Sequence, residues 1–349
     1  MEKNIIFILS LGLIIIILCI IYYNGDDTKE KSLKNNLIKI GYNEEEANKI
    51  LNVFSEEIDC IQDNYLNNIK DLLDNKNFNI EKKCKYIDYI KKNNVSYDIG
   101  IEMVNAELEK YEFNETLYNI KNDPYFIIEN IDRYINYSNK NSNLEIRKIV
   151  SSVNANIDYN YYSNIQKVTN QNDLLVIVNK YYALDENYVP NTLVDISSTY
   201  GYGKVDKTLY DNFKLMADEA RKLNLNLYIA SGYRDYNYQK ALYNGYLKYE
   251  SKDIVDTYSA RPGHSEHQTG LAVDLSPIDD SFAYTNEYKW LKDNAHNYGF
   301  ILRYPNDLTN LTGYKYEPWH YRYVGKEVAT YIYNNNITFD EYYEYFLKR

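Results

Sequence analysis

The sequence predicts an α+β fold for the C-terminal half of a 349-residue chain, because strand and helix patterns follow one another there. In residues 271–275 and 319–324, large apolar or aromatic side chains occupy every second position, which is typical of short strands. Apolar residues recur at helical spacing between 209 and 220, and the segment Leu225-Asn-Leu-Tyr-Ile-Ala230 after them predicts another strand. We therefore predict a small, mainly antiparallel sheet with flanking helices, preceded by a transmembrane helix and an α-helical repeat region.

The transmembrane helix is predicted from a run of uncharged, mostly apolar residues at positions 5–23. That length can span a bilayer, whereas a cleaved signal peptide has a shorter apolar core and a small-residue cleavage site. The run ends in Tyr-Tyr-Asn-Gly-Asp without such a site. Residues 1–23 are therefore expected to form an uncleaved anchor, although the flanking lysines do not fix its orientation.

Residues 24–165 are predicted to be helical and to contain an internal repeat. The segment Asn43-Glu-Glu-Glu46 is typical of a helix N-terminus. Tyr86-Ile-Asp-Tyr89 matches Tyr134-Ile-Asn-Tyr137, and Val104-Asn-Ala106 matches Val153-Asn-Ala155. Helical repeats of this size commonly stack to bury a shared core. The favoured interpretation is a spacer or scaffold, and the alternative is a region that binds a ligand or partner.

Cys60 and Cys84 lie in this helical region. They could pair in an oxidising compartment, but cysteines on predicted helices are more often small buried apolar groups. The sequence leaves the pairing open and favours unpaired cysteines.

The last quarter of the chain contains all of its histidines: His264, His267, His296 and His320. A catalytic zinc takes three protein ligands, typically imidazole nitrogens and carboxylate oxygens, and keeps one position open. His267, Asp274 and His320 would supply that set. Glu317, three residues before the last ligand, would be the general base that takes a proton from water.

These residues form a motif, Ser265-x-His-x-x-Gly-x-Ala-x-Asp274 followed by Glu317-x-Trp-His320. The motif resembles that of the VanY-type zinc D-alanyl-D-alanine carboxypeptidases, which are related to lysostaphin-like peptidases and the hedgehog domain. The resemblance covers roughly residues 166–349. It implies a zinc peptidase domain with zinc on His267, Asp274 and His320, and with Glu317 as the base. No ligand position is substituted.

The resemblance also implies substrate contacts. The segment Ser231-Gly-Tyr-Arg234 carries an arginine that faces the active site in this family and holds the substrate or its oxyanion. A planar guanidinium can clamp a carboxylate with two hydrogen bonds. Gln239 and Ser265 are expected to donate or accept hydrogen bonds to the substrate.

Three further polar residues are not assigned to the metal. His264 is expected beside the site, and His296 near the end of a helix that Gly299 caps. Arg303 is left open between a structural role and a place in the pocket wall.

The resemblance implies that the chain removes the C-terminal residue of peptidoglycan stem peptides during cell-wall remodelling. A free substrate carboxylate gives Arg234 a partner, which favours an exopeptidase. L,D-carboxypeptidase and cell-wall endopeptidase activities remain alternatives. A non-catalytic wall-binding or anchoring protein is a third, although a pure binder needs no base such as Glu317.

The composition and the resemblance also indicate the class of partner and the location of the protein. The formal net charge of −11 and the absence of a basic stripe argue against a nucleic-acid partner. Since the resembling enzymes act on the cell wall, we expect a single-pass membrane protein with an extracellular catalytic domain. The helical region would then act as a spacer or bind peptidoglycan.

Overall fold

The structure is a computed structural model that describes residues 28–61 and 69–348. The chain divides between Asn122 and Asp123 into two compact units. The boundary predicted between residues 165 and 166 therefore lies inside the second unit. Over the two described ranges, no helix combines the length and the apolar character needed to cross a membrane. The predicted anchor at 1–23 lies outside these ranges.

The described part of the first unit is built from helices. They are α1 (28–39), α2 (Glu44–Phe54), a 3₁₀ turn (Ser55–Ile61), α3 (Ile69–Asp74), a second 3₁₀ turn (Ile80–Lys82), α4 (Lys83–Asn93), α5 (Tyr97–Asn105) and α6 (Glu115–Lys121). The predicted start of α2 is confirmed. The Asn43 side chain accepts from the Glu46 N–H at 2.9 Å, and the Glu46 carboxylate accepts from the Asn43 N–H at 3.0 Å.

Cys60 and Cys84 form a disulfide within the first unit, with their Cα atoms 5.5 Å apart. The bond joins the 3₁₀ turn after α2 to the first turn of α4. The sequence favoured unpaired cysteines, and that expectation is wrong. Helical patterns show which face of each helix is buried, but not which residues of two helices lie opposite one another.

The predicted internal repeat corresponds to a repeated hydrogen-bond arrangement. In its first copy, the buried Tyr86 hydroxyl on α4 accepts from the Asn79 N–H at 3.2 Å. It donates to the Asn105 side chain on α5 at 2.7 Å. The Asn105 amide in turn donates to the Asn77 carbonyl at 2.9 Å. One tyrosine and one asparagine thus join the helix pair to the segment before it.

The second copy lies in the second unit, on α7 (Ile131–Lys140) and α8 (Ile146–Asn154). The buried Tyr134 hydroxyl accepts from the Ile127 N–H at 3.2 Å and donates to the Asn154 side chain. The Asn154 amide donates to the Tyr125 carbonyl at 2.9 Å. The two copies therefore use the same partners at matching positions.

The second copy packs against the C-terminal end of the chain. That end consists of α14 (Lys326–Asn335), α15 (Phe339–Tyr342) and a π-helical turn (Tyr343–Leu347). The rings of Tyr125 and Tyr345 stack with centroids 4.0 Å apart. The Asn156 amide donates to the buried Glu344 carboxylate at 3.2 Å, and the Tyr182 hydroxyl donates to it at 2.8 Å.

A four-stranded antiparallel sheet is the scaffold of the second unit. Its order is β5 (Ile229–Ser231), β6 (Ala272–Leu275), β8 (His320–Tyr323) and β7 (Phe300–Leu302). Two short pairs accompany it: β1 (Gln166–Lys167) with β2 (Tyr182–Ala183), parallel, and β3 (Leu193–Asp195) with β4 (Lys204–Asp206), antiparallel. The predicted α+β class, with a small, mainly antiparallel sheet, is confirmed.

Helices flank this sheet: α9 (Lys207–Arg221), α10 (Tyr236–Tyr246), α11 (Lys252–Val255), α12 (Asn286–Asn294) and α13 (Thr309–Thr312). The apolar face of α9, including Phe213, packs in one core with Val273 of β6 and Tyr321 of β8. Because side chains alternate along a strand, the next residues, Asp274 and His320, lie on the opposite face. The core therefore fixes which face of the sheet carries the polar groups.

Candidate active site and metal centre

His267 lies in a short 3₁₀ turn (Glu266–Thr269) that leads into β6. Gly270 ends the turn with φ +71°, and a Cβ there would lie 3.0 Å from the Asp206 backbone nitrogen, so glycine is required. The Nδ1 of His267 lies 2.6 Å from the Gly232 carbonyl oxygen. Since a carbonyl only accepts, Nδ1 carries the proton and Nε2 is left as a free electron-pair donor.

Asp274 and His320 are directly opposite one another on β6 and β8. Such cross-strand neighbours have side chains within contact distance. The Nδ1 of His320 lies 3.1 Å from Asp274 Oδ1, and the Nε2 of His267 lies 3.2 Å from Asp274 Oδ2. One potential ligand atom from each residue falls within 4.8 Å of the others. The structure thus brings the three predicted ligands together.

The donor set fits a metal ion. All three side chains are buried, and within the described part of the chain His267 Nε2 has no hydrogen-bond partner. A buried nitrogen without a partner is costly unless something occupies its lone pair. Two imidazoles and one carboxylate are ligands that zinc accepts, and three protein ligands leave a coordination position open.

Glu317 lies next to this cluster, in the segment just before β8. Its carboxylate is 3.6 Å from His320 Nδ1 and is almost completely buried. In the metal-free protein, burial raises the pKa of Glu317 to about 7, although the neighbouring His320 acts in the opposite direction. A carboxyl group with a pKa near neutrality is suited to accepting and releasing a proton.

The pKa values of the metal-ligand side chains are also shifted in the metal-free site. Burial alone would raise the pKa of Asp274, but His267 and His320 hold it well below its usual range. Burial and the nearby Arg234 lower the pKa of His267 to about 4. Asp274 is therefore anionic and His267 neutral, as metal ligation requires. Burial would lower the pKa of His320, but the carboxylates of Asp274 and Glu266 outweigh burial and raise that pKa to about 9, so metal binding would displace a proton from His320.

A second layer of buried charges supports His320. Glu266 Oε2 lies 3.5 Å from His320 Nε2, and Glu266 Oε1 accepts from Arg303 Nε at 2.7 Å. Arg303 continues to Asp340 on α15, with Nη1 to Oδ2 at 2.6 Å. Arg322 Nη1 lies 3.4 Å from Glu266 Oε1. This network can orient His320 in the way that outer-shell carboxylates orient metal-bound histidines.

Sequence reasoning missed Glu266 and Asp340 in this layer, and it left Arg303 open. Arg303 is completely buried and does not line the pocket, so its role is structural. A signal for part of the layer was present in the sequence. Arg322 shares the predicted strand face of His320, and a buried arginine requires a carboxylate partner. Nothing in the local pattern identifies which carboxylate that is.

The metal-ligand cluster opens into a pocket of about 380 Å³. Arg234, Gln239 and Ser265, the three predicted substrate contacts, all line it. Arg234 Nη2 lies 3.4 Å from Asp274 Oδ2. The buried Nε of Arg234 has no hydrogen-bond partner among the described residues. The Gln239 amide donates to the Ala260 carbonyl at 2.8 Å, which fixes the side chain.

A buried lysine lies behind one wall of the pocket. Lys180 is 1% exposed, and its ammonium group donates to the Asp256 carbonyl. Three tyrosine rings surround the ammonium, with centroids at 3.9 Å for Tyr314, 4.8 Å for Tyr161 and 5.0 Å for Tyr162. These distances are those of cation–π contacts. No pattern in the sequence predicts this arrangement of one lysine and three tyrosines.

The cage is connected to the metal-ligand cluster through two rings. The Tyr314 ring lies 4.8 Å from the Tyr304 ring, which lies 4.9 Å from the imidazole of His320. Both tyrosines are buried, and both line the pocket. Lys180 therefore supports the wall that precedes Glu317.

The remaining histidines are outside the cluster, as expected. The Nδ1 of His264 lies 2.7 Å from the Asn179 carbonyl oxygen, and the His264 ring contacts Tyr162 edge-on. His296 stacks on Tyr333 with centroids 3.8 Å apart, in the turn that Gly299 caps. Neither side chain belongs to the group of potential metal ligands.

Comparison with known proteins gives concordant matches. The VanY family model, described as D-alanyl-D-alanine carboxypeptidase, matches residues 203–326. YodJ of Bacillus subtilis (strain 168), named as a candidate carboxypeptidase, is 38% identical over 206 residues, which are 54% of this chain and 76% of YodJ.

Two solved structures are similar to the same half of the chain. The LdcB LD-carboxypeptidase is 38% identical, with 52% of this chain and 91% of LdcB covered and a TM-score of 0.50. A variant of a VanY D,D-pentapeptidase in complex with Zn(II) is 36% identical, with 48% and 97% covered and a TM-score of 0.42. With the family match and the identity to YodJ over most of its length, the chain belongs to the VanY family of D-alanyl-D-alanine carboxypeptidases.

Proposed function

We propose that this protein is a zinc-dependent carboxypeptidase that removes the C-terminal residue of peptidoglycan stem peptides. The observation that carries the proposal is the convergence of His267, Asp274 and His320 with Glu317 and Arg234 in one pocket. The first three would hold the metal, and the last two would act on the substrate.

When bound, zinc supplies Lewis-acid chemistry, since it polarises a carbonyl oxygen and makes water more acidic. Glu317 would accept a proton from the attacking water and pass it to the leaving amine as the carbon–nitrogen bond breaks. The burial that raises the pKa of Glu317 suits both transfers. Arg234 would bind the free carboxylate of the terminal residue, since it lines the pocket and its Nε has no hydrogen-bond partner among the described residues.

The stereochemistry of the bond is the finer part of the proposal. We propose a D-alanyl-D-alanine-type terminus as the substrate, in agreement with the family description. The similarity to LdcB, an LD-carboxypeptidase, favours L,D cleavage as a second candidate. Both activities need the same metal, base and carboxylate clamp, so they differ only in how the residue before the bond fits the pocket.

We also propose that the catalytic unit acts outside the cell and is held at the membrane by residues 1–23. The disulfide between Cys60 and Cys84 supports an oxidising compartment. Protease treatment of intact cells should digest the second unit, and membranes should retain the full chain. Protection of the unit in intact cells would contradict this location.

The activity is tested by digesting defined stem peptides and measuring the products by mass spectrometry. Peptides that end in D-Ala-D-Ala or in L-Lys-D-Ala should each be offered, with a cross-linked dimer as a third substrate. Loss of one terminal residue supports a carboxypeptidase, and the peptide that loses it identifies the D,D or L,D class. Internal cuts would indicate an endopeptidase, and unchanged peptides would indicate a binding protein.

Glu317→Gln provides the matched control. Glutamine is nearly isosteric but cannot accept a proton, so this variant should keep its zinc and lose about 10²–10⁴-fold in rate. His267→Ala should instead lose zinc. A Glu317→Gln variant without zinc would show that Glu317 is a ligand and not the base.

A further inference from the structure

A solvent-exposed aromatic surface covers α10 and the turn that follows it. We call it the α10 surface, and it is lined by Tyr238, Ala241, Leu242, Gly245, Tyr246, Lys248 and Tyr249. The side chains of Tyr238 and Tyr249 are 60% and 88% exposed. Exposed apolar groups that lie together on a protein surface commonly mark a binding site.

The surface has a regular geometry. Tyr238 lies in the first turn of α10 (Tyr236–Tyr246), and Tyr249 lies in the turn just beyond the end of the helix, so the lining extends over the whole length of α10. Between them lie the small residues Ala241 and Gly245, and a Cβ added to Gly245 would meet nothing within 4 Å. Two flat rings thus stand at the ends of an open, shallow floor.

The abundance of tyrosine does not account for this surface. Among the described residues, seven tyrosines are exposed beyond one third: Tyr161, Tyr202, Tyr238, Tyr246, Tyr249, Tyr284 and Tyr333. Three of the seven lie on the α10 surface. Most tyrosines of the second unit are buried or half-buried, so the clustering belongs to this helix and the turn after it.

The α10 surface is continuous with the active-site pocket. Leu242 and Tyr246 line both, and the Tyr246 ring contacts Tyr258 of the pocket with centroids 5.3 Å apart. Gln239, on the same helix, lines the pocket interior. From Gln239 to Tyr246 the helix rises about 10 Å, which is close to the length of a three-residue extended peptide.

We propose that the α10 surface binds the glycan strand that carries the stem peptide. This inference rests on the proposed function, since the peptide in the pocket is attached to the glycan at its other end. Sugar rings combine apolar C–H faces with hydroxyl groups, and tyrosine combines an apolar ring with a polar tip. Lys248 is the one cation lining the surface, so a neutral polyhydroxyl chain suits it better than a polyanion.

The test compares one stem peptide in two forms, free and attached to uncross-linked glycan chains. The double variant Tyr238→Ser, Tyr249→Ser removes two rings that do not line the active-site pocket. Its kcat/KM should be unchanged on the free peptide and should fall about tenfold on the glycan-attached peptide. Tyr202→Ser, a comparably exposed tyrosine between β3 and β4, is the matched control and should leave both values unchanged.

A second measurement does not depend on catalysis. Peptide-free glycan chains should bind the full-length wild-type protein and bind the double variant at least tenfold more weakly, by calorimetry or by NMR line broadening. That result would support the α10 surface even if neither peptide form were hydrolysed, in which case only the proposed function would fail. Equal glycan binding by the wild type and the double variant, or none by either, would overturn the inference.

Discussion

The ammonium nitrogen of the buried Lys180 lies 3.9 Å from the centre of the ring of Tyr314, which is itself buried. Burial lowers the pKa of Lys180 from 10.5 to about 7, and the nearby carboxylate of Asp256 opposes that shift. Tyr314 lines the active-site pocket. Lys180 does not line the pocket, but its protonation state affects the stability of the fold around Tyr314, which does line it.

The first prediction is a pH-dependent effect of Lys180→Met. Between about pH 7 and 10.5 the unfolded chain keeps the lysine proton and the folded protein releases it, so folding is favoured as the pH rises. The wild-type protein should therefore gain stability relative to the variant over this range, by at most about 1.4 kcal/mol per pH unit. Urea unfolding at pH 7 and pH 9.5 measures the difference.

Lys248→Met is the control for that experiment, because Lys248 is exposed in the turn after α10. It should change the free energy of unfolding little at either pH. An equal stability difference between the wild type and Lys180→Met at both pH values would contradict the assigned pKa direction of Lys180.

The second prediction concerns Glu266→Gln. The change leaves Arg303 and Arg322 without their shared anion, and breaking a buried ion pair typically costs about 3–5 kcal/mol. It also weakens the support of His320, so zinc affinity should fall about 10–100-fold. Zinc competition with a chelator and thermal unfolding give the two values. Wild-type zinc affinity in a folded variant would show that Glu266 does not orient His320.

The third prediction separates two roles of Arg234. Arg234→Lys keeps the charge but loses the two-pronged geometry, so it is not conservative at a carboxylate clamp. If Arg234 binds the substrate equally in the ground and transition states, KM should rise while kcat changes little. If it stabilises the oxyanion, kcat should fall. Unchanged kcat and KM would remove Arg234 from the substrate contacts.

The fourth prediction concerns the start of the catalytic unit. A fragment of residues 123–349 should fold and bind zinc, because it contains every segment of the second unit. A fragment of residues 166–349 loses the stack of Tyr125 on Tyr345 and the hydrogen bond from Asn156 to the buried Glu344. Its melting temperature should be lower by about 10 °C or more, since each kcal/mol corresponds to roughly 2–4 °C at this size. Equal melting temperatures would show that α7 and α8 are dispensable.

The fifth prediction concerns the disulfide. Replacing Cys60 and Cys84 by serine opens a link across a sequence separation of 24 residues, which should cost the first unit about 3 kcal/mol. The kcat/KM on a free stem peptide should not change, because the bridge lies in the other unit. Unfolding of the wild type with and without a reductant should reproduce the difference. Insensitivity to the reductant would indicate that the bond does not form in the protein.

Much of the site could be predicted from sequence because its information is local. Alternation places Asp274 and His320 on the polar faces of two short strands, and only their pairing in register remained to be found. The start of α2 was equally local, since a capping box spans four residues. The metal ligands, the base and the arginine lie together in the structure as the motif implied.

The supporting layers could not be predicted, because each joins distant segments. Glu266, Arg303 and Asp340 meet only after α15 folds against β7, and Lys180 meets Tyr314 across more than 130 residues of chain. Local sequence patterns carry no information about contacts between such distant residues. The boundary between the two units depends on such contacts as well, since only tertiary packing shows that α7 and α8 belong with the catalytic unit.

The paired tyrosine–asparagine arrangements of Tyr86 with Asn105 and Tyr134 with Asn154 have a consequence for how this chain can vary. Each copy holds itself together through its own bonds, so a copy can be gained or lost as a block. The copy at Tyr134 cannot be lost in this way, because it packs against the C-terminal end of the catalytic unit. Changes in the number of copies are therefore expected upstream of residue 123, where an insertion or deletion leaves the catalytic unit intact.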